Sequence, residues 1–381
     1  MVLQIKKAQL SAFLRRAREV GFDPETGWRV PELTGEVGEP TKLGDICSLN
    51  DSITLGASGE PGDTYLDLCD RIIDIQGYNV DKSDIIMTCG TQEGNFLALT
   101  QSLNPGDKVI LETPTWHQFP YLCEAMGAKI VAIPRREELG WKWDIEELKE
   151  KADKDTRAIC INQPNNPTGA FYNERELRAI CEVAEDCGAR LISDEIYRGL
   201  EWEGPMAPSA INYYDKAVCN SSVSKVLSMD GLRVGWLVSK EKEFRDMITE
   251  LRRFEIEHIN ILGTIVAHAA LERATYERVV KEKKESGREC RKILTDWMKK
   301  NTFFTWVPPS AGFLSFPGYR IEMKALDFCE KFLVSPYPAI LAPGSAYGVE
   351  KHVRLGFGRV PPAEIKQGLD NLSKFVQTLP K

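Results

Sequence analysis

Apolar residues at Leu3, Leu10, Phe13, Leu14 and Ala17 fall near one face of a helical wheel and predict an amphipathic helix over 3–20. From Gly21 to Gly62 that periodicity dissolves into a stretch rich in Gly, Pro, Thr and Glu, which reads as irregular. Its densest breaker cluster, Gly56-Ala57-Ser58-Gly59-Glu60-Pro61-Gly62, reads as a turn ahead of a helix at 63–76. From residue 84 the rhythm changes. Short unbroken apolar runs recur at Ile85-Ile86-Met87, Val109-Ile110-Leu111, Ile130-Val131-Ala132-Ile133, Ala158-Ile159-Cys160-Ile161, Leu191-Ile192 and Ala217-Val218-Cys219. Helix-period segments, such as Gly94 to Leu103 and Glu174 to Cys187, separate most of them. Apolar strands alternating with helices predict a mostly parallel sheet covered on both faces. A charged helix over 274–300 and a C-terminal mixture of short strands and helices predict a second, smaller α+β lobe.

Composition narrows the partners. A net charge of −7 offers no electrostatic attraction for nucleic acid or an anionic membrane. The start of the chain does not read as a signal peptide, and no apolar run is long enough to span a bilayer. Ten cysteines without a Cys-x-x-Cys pair, beside only four histidines, argue against a structural metal site and for free thiols in a reducing compartment. The expectation is a cytoplasmic protein that holds no metal.

In open α/β sheets, ligands gather beyond the carboxyl ends of the strands, and polar groups recur at those ends here. The first strand runs into Cys89-Gly90-Thr91-Gln92, a glycine turn opening a helix, which is either an ordinary connection or a backbone cradle for an anion. The next ends at Thr113-Pro114-Thr115-Trp116, where the indole is either core or a stacking surface for a flat heterocycle. Asn165-Asn166-Pro167-Thr168-Gly169 makes a tight turn that aims an amide. Asp194-Glu195-Ile196-Tyr197 places a carboxylate where burial demands a cationic partner. Lys225 follows Ser222-Val223-Ser224, and Arg233 lies in Asp230-Gly231-Leu232-Arg233-Val234-Gly235. A lysine in such company is either an exposed surface residue or a Schiff-base amine with a phosphate beside it.

Together these segments resemble the fold-type I pyridoxal-phosphate enzymes, specifically the class I/II aminotransferases of the aspartate aminotransferase superfamily. The resemblance runs from about Asp84 to about Arg359 and includes Pro105-Gly106-Asp107, Pro343-Gly344-Ser345-Ala346-Tyr347-Gly348 and Val353-Arg354-Leu355-Gly356. It implies an α/β protein of the PLP-transferase fold type I. A mostly parallel mixed sheet would form the large cofactor-binding domain over 46–283, and 1–45 with 284–381 would form the smaller α+β domain. It further implies that Lys225 bonds pyridoxal 5′-phosphate as an aldimine and shuttles the substrate's proton. Asp194 would pair with the ring nitrogen, Tyr197 and Asn166 with the ring oxygen, and Trp116 would stack on the ring. Gly90, Thr91, Gln92, Ser222 and Arg233 would form the phosphate site. Arg354 would fork the substrate's α-carboxylate, with Asn166 and Asn50 as further substrate contacts. The implied activity moves an amino group between an L-amino acid and a 2-oxo acid, in a homodimer with shared active sites. The alternative is a lyase, cyclase or oxidase diverging from the same quinonoid stage.

The chain also departs from that family. Where such enzymes carry a tyrosine that reaches the neighbouring subunit's phosphate, Ala57 stands, and the connection from Asn50 to Gly62 is short. Arg252-Arg253-Phe254-Glu255-Ile256-Glu257-His258-Ile259-Asn260 replaces a region of small hydroxyl residues. It reads as a solvated helix end, with Glu257 and His258 as alternative cavity-facing groups. Two other classes fit less well. A cofactor-sensing DNA-binding regulator would need a further domain ahead of the sheet, and a nicotinamide-binding dehydrogenase would need a strand leading into Gly-x-Gly-x-x-Gly.

Overall fold

Successive residues of a strand point to opposite faces, and the buried strands here feed two separate apolar clusters in that way. Ile159 and Leu191 join one cluster, while Cys160 and Ile192 join the other. The computed structural model describes residues 63–379 except 257, 258 and 359, together with the backbone of residues 22–23 and 27–28. Phe22–Asp23 (β1) and Gly27–Trp28 (β2) pair antiparallel. They belong to a compact unit of residues 1–49, distinct from the unit of residues 50–381. The helix expected over 3–20, the breaker cluster at 56–62 and Asn50 lie outside the described residues.

The second unit opens with helix α1 (Asp63–Gln76), the span its pattern predicts. Then follow β3 (Ile85–Thr88), α2 (Thr91–Ser102), β4 (Lys108–Thr113), α3 (Gln118–Ala125), β5 (Lys129–Pro134), α4 (Ile145–Lys151) and β6 (Thr156–Asn162). Helix α5 (Glu174–Cys187) starts at a capping box between Asn173 and Glu176 and stops at Gly188, φ 74°. It buries Leu177, Ile180, Cys181 and Ala184, one stripe at helical spacing. After β7 (Arg190–Asp194) and β8 (Ala217–Ser222) comes a single short helical turn, α6 (Val223–Val226), and then β9 (Gly235–Ser239).

These strands form one seven-stranded sheet in the order β3-β9-β8-β7-β6-β4-β5. Pairings from β8 through β7, β6 and β4 to β5 are parallel, and β9 runs antiparallel between β3 and β8. The sheet is therefore mixed and mostly parallel, as expected. Strand β9 is an addition to the pattern-based strands. An antiparallel return needs no crossover helix, so the connection 223–234 that carries Lys225 and Arg233 stays short and remains at the strand ends. Helices α1 and α5 cover one face; α2, α3 and the later α7 (Lys242–Arg252) cover the other.

Beyond α8 (Ile261–Ala270), the long helix α9 (Arg273–Lys300) buries Gly287, Cys290, Leu294 and Met298 along one side. A third apolar cluster joins Cys290, Leu294 and Met298 to Phe328 and Phe332 of α10 (Ala325–Leu333) and to Leu369 and Phe375 of α11 (Pro362–Gln377). Short strands complete this part. Phe304–Thr305 (β10) pairs with Gly318–Tyr319 (β12), and Val353–Gly356 (β14) lies between Leu314–Ser315 (β11) and Ala342–Pro343 (β13).

Candidate active site

A cavity of about 430 Å³ opens beyond the carboxyl ends of the parallel strands, where open α/β sheets place their ligands. Thr91, Gln92, Trp116, Asn166, Asp194, Tyr197, Lys225, Arg233 and Arg354 all line it. Of the expected residues, Gly90 and Ser222 stand behind this lining. Ser222 is 2% exposed and caps α6, its hydroxyl accepting from Ser224 N. Gly90 has φ 84°, and a Cβ there would lie 2.6 Å from Arg233 Nη2, so glycine leaves room for the guanidinium. Gly235 is equally constrained: its Cβ would meet the Gly90 Cα at 2.7 Å.

One end of the cavity is built for an anion. The N-terminus of α2, which has no side-chain cap at Gly90, contributes the positive end of the helix dipole. The Thr91 hydroxyl there is buried without a hydrogen-bond partner. Arg233, held in the left-handed region at φ 53°, reaches the same end and donates to the carbonyls of Asp230 at 2.9 Å and Cys89 at 3.0 Å.

The floor is acidic. Asp194, 4% exposed at the end of β7, accepts from Asn95 Nδ2 at 2.8 Å and from the Ile196 amide at 3.2 Å. Burial pushes its carboxyl up to about 6, against the pull of those two donors. Among the described residues no cationic side chain pairs with it. A carboxylate buried without a cationic partner either takes up a proton or can accept a cation from a ligand in the cavity.

The amide end is held from below. Asn166 is 5% exposed; its backbone N–H donates to Asn162 Oδ1 at 2.6 Å, and its side-chain Oδ1 accepts from Arg354 Nη1 at 3.2 Å. Beneath this loop Glu112 accepts from Asn162 N and Asn165 Nδ2, both at 2.8 Å, and forms a 2.6 Å ion pair with Arg135. Both charged side chains are fully buried, and burial raises the Glu112 carboxyl while Arg135 opposes the rise. Arg354 also lies over the Tyr347 ring, 5.2 Å from its centroid. Lys225 sits on α6, its carbonyl accepting from Lys283 Nζ of α9.

Sequence reasoning missed Asn95, Gln118, Asn162, Ile196, Ser224, Asp230 and Gly231 in this lining. Asn95 carried a signal: an asparagine beside Gly94 inside a buried helix is locally unfavourable and calls for a reason. Arg252 corrects the solvated-helix-end expectation at its first residue. Its side chain is 16% exposed and pairs with Glu93 in the first turn of α2 at 3.2 Å. Glu257 and His258 lie outside the described residues.

Comparison with known proteins agrees with this geometry. Residues 60–372 match the family model for aminotransferase class I and II. The aspartate aminotransferase of Pyrococcus horikoshii is 30% identical over 284 residues, 74% of this chain and 72% of that protein. A probable aspartate/prephenate aminotransferase of Aquifex aeolicus is 28% identical over 304 residues, 78% of this chain and 77% of that one. The solved structure of a PLP-dependent aminotransferase from Streptococcus suis superimposes with a TM-score of 0.78 at 28% identity, covering 90% of this chain and 88% of that one. The chain belongs to the class I and II aminotransferase family, with that family's α/β fold and its activity of moving amino groups.

Proposed function

We propose that the cavity holds pyridoxal 5′-phosphate, with Lys225 as its covalent partner, and transfers the amino group of an L-amino acid to a 2-oxo acid. The observation that carries this reading is Asp194: a buried carboxylate with amide donors only, in the same cavity as a lysine and a helix-end anion cradle. The group fits the residues present. Thr91, Gln92 and Arg233 would hold its phosphate, with Gly90 and Ser222 shaping the cradle from behind. Asp194 would face the ring nitrogen, Trp116 the ring face, and Tyr197 and Asn166 the ring hydroxyl. When bound, pyridoxal phosphate supplies an aldehyde that condenses with amines and a ring that accepts electrons from the carbon bearing the amine.

The chain's own groups do the remaining work. Arg354 offers a planar, two-pronged donor to the substrate carboxylate, which a lysine's point charge cannot match. Asn166 orients that guanidinium through their shared hydrogen bond. The Lys225 amine would take the proton from the substrate's α-carbon as a base and, once protonated, would serve as the acid that gives it back. Asn50 would contribute a substrate contact from outside the described residues. The names of the matched relatives favour amino transfer over elimination, cyclisation or oxidation.

The same reading makes the protein a homodimer with shared sites. Phe254, Leu262 and Val266 stand 89%, 60% and 44% exposed on α8 and the segment before it, apolar surface of the kind a second subunit covers. Residues 46–283 would act as the large domain and 1–45 with 284–381 as the small one. The separate apolar cluster built by α9, α10 and α11 supports the C-terminal part of that division. A cytoplasmic location fits the nine unpaired cysteines among the described residues. No described helix is long and apolar enough to cross a membrane.

The test is visible absorbance. Purified protein with pyridoxal phosphate should show a band that Lys225→Ala removes. One member of an amino acid panel should bleach that band, and 2-oxoglutarate or pyruvate should restore it. Keto acid formed catalytically without an acceptor would move the activity to elimination or oxidation, and a protein that never takes up the cofactor would end the proposal.

A further inference from the structure

Behind Asp194, side chains from two other elements meet. Asn95, one turn into α2, donates Nδ2 to Asp194 Oδ2 at 2.8 Å, and Asn220 of β8 donates its own Nδ2 to Asn95 Oδ1 at 3.0 Å. Asn95 is 1% exposed and Asn220 fully buried. Both are poor local choices, since asparagine disfavours helix interiors and strands and is costly to bury. The helix crosses β8 closely only because residue 94 is glycine: a Cβ there would lie 2.6 Å from Asn220 Oδ1. That oxygen has no hydrogen-bond partner, so Asn220 is kept for what it donates.

The direction of the bonds is what matters. A carboxylate only accepts, whereas an amide can present either its oxygen or its NH₂. With its oxygen turned to Asp194, Asn95 would set two acceptors against each other. Asn220 occupies that oxygen from the other side and leaves the NH₂ facing Asp194. The same NH₂ also reaches Gln118 Oε1 at 3.3 Å, and Gln118 Nε2 is anchored on the Gln92 carbonyl at 2.7 Å.

We propose that Asn95 and Asn220 form a two-amide positioning relay that holds the Asp194 carboxylate as a fixed acceptor for the ring nitrogen of the bound cofactor. The Asn220 side chain acts through Asn95; its backbone pairs beside Asp194 in the sheet and holds Glu195 N at 2.7 Å whatever the side chain is. This rests on the cofactor reading above. It also accounts for how a carboxylate so deeply buried stays available as a charged partner, since the Asn95 bond is the largest influence opposing the effect of burial.

The test uses apoprotein and two probes that lack the aldehyde, so that binding does not depend on a bond to Lys225. One is 4′-deoxypyridoxine 5′-phosphate; the other is its counterpart with carbon in place of the ring nitrogen. Asn95→Leu and Asn220→Ala should each weaken the first probe about tenfold, the scale of one hydrogen bond to a charged group, and leave the second within about twofold. The double variant should match Asn95→Leu alone, because two residues acting through one bond are not additive. Thermal melts check folding, and Asn220→Ala carries the same comparison if Asn95→Leu does not fold. Equal losses for both probes would reduce the pair to packing and overturn the relay. Undiminished binding of the first probe would do the same, and additive losses would remove Asn220 from it. Wild-type apoprotein that binds neither probe would instead overturn the cofactor reading on which the relay stands.

Discussion

Arg354 donates to the Asn166 side-chain oxygen at 3.2 Å, joining positions 188 residues apart in the chain. The bond fixes a guanidinium from β14 against the loop that follows β6, so the residues proposed to fork the substrate carboxylate and to meet the ring hydroxyl are set relative to each other. Arg354→Lys should raise the KM for the amino donor about tenfold or more, the cost of losing a two-pronged, charge-assisted contact. Cofactor affinity should be unchanged. Steady-state kinetics alongside a cofactor titration separate the two effects.

The pH dependence of the cofactor-free protein follows from Asp194. Burial raises its carboxyl from 3.8 to about 6, so the folded state holds the proton more tightly than the unfolded chain. The stability this contributes is full below the unfolded value and is lost as pH rises through about 6. Asp194→Asn abolishes the titration. Between about pH 4 and about pH 7 the wild-type apoprotein should lose up to roughly 3 kcal/mol relative to Asp194→Asn, read from urea melts at each pH. Saturating pyridoxal phosphate should restore the wild type's position, because a ring cation then partners the carboxylate.

Two glycines separate backbone strain from cofactor binding. Gly90 at φ 84°, ψ 170° and Gly106 at φ 91° take backbone conformations that favour glycine, so alanine at either should cost about 1–3 kcal/mol. Only at Gly90 does the added carbon meet the tip of Arg233; at Gly106 nothing lies within 4 Å. Both variants should lose melting temperature, while only Gly90→Ala should lose cofactor affinity.

The Glu112–Arg135 pair is fully buried under the Asn162 and Asn165 amides. Removing either charge alone strands the other. Glu112→Leu and Arg135→Met should each destabilise the protein by about 3–5 kcal/mol, and the double variant by less than their sum. Chemical denaturation of the four proteins checks this, with the singles also losing the order of the Asn166 loop.

Much of this fold is written locally. Helix α5 occupies the span its pattern marks because its start signal, Asn173 with Glu176, and its stop signal, Gly188, are both adjacent in sequence. Strand β9 was not, since a short buried run reads the same whether it pairs parallel or antiparallel, and only the partners on either side decide. Cavity-lining residues were legible near strand ends: Asp194 closes β7, and Asn166 and Lys225 follow β6 and β8 within four residues. The residues that hold them were not. The Asn220 side chain meets the Asp194 carboxylate through Asn95, 125 residues away, and Arg252 finds Glu93 across 159. Such pairings are set by packing of helix on sheet, which no local pattern encodes.

Lys225 is the residue proposed to bond the cofactor, and covalent trapping tests it directly. Protein saturated with pyridoxal phosphate, reduced with borohydride and digested, should yield one modified peptide, with the phosphopyridoxyl group on Lys225 as read by tandem mass spectrometry. A label on another lysine, on several lysines at similar levels, or on none would contradict it.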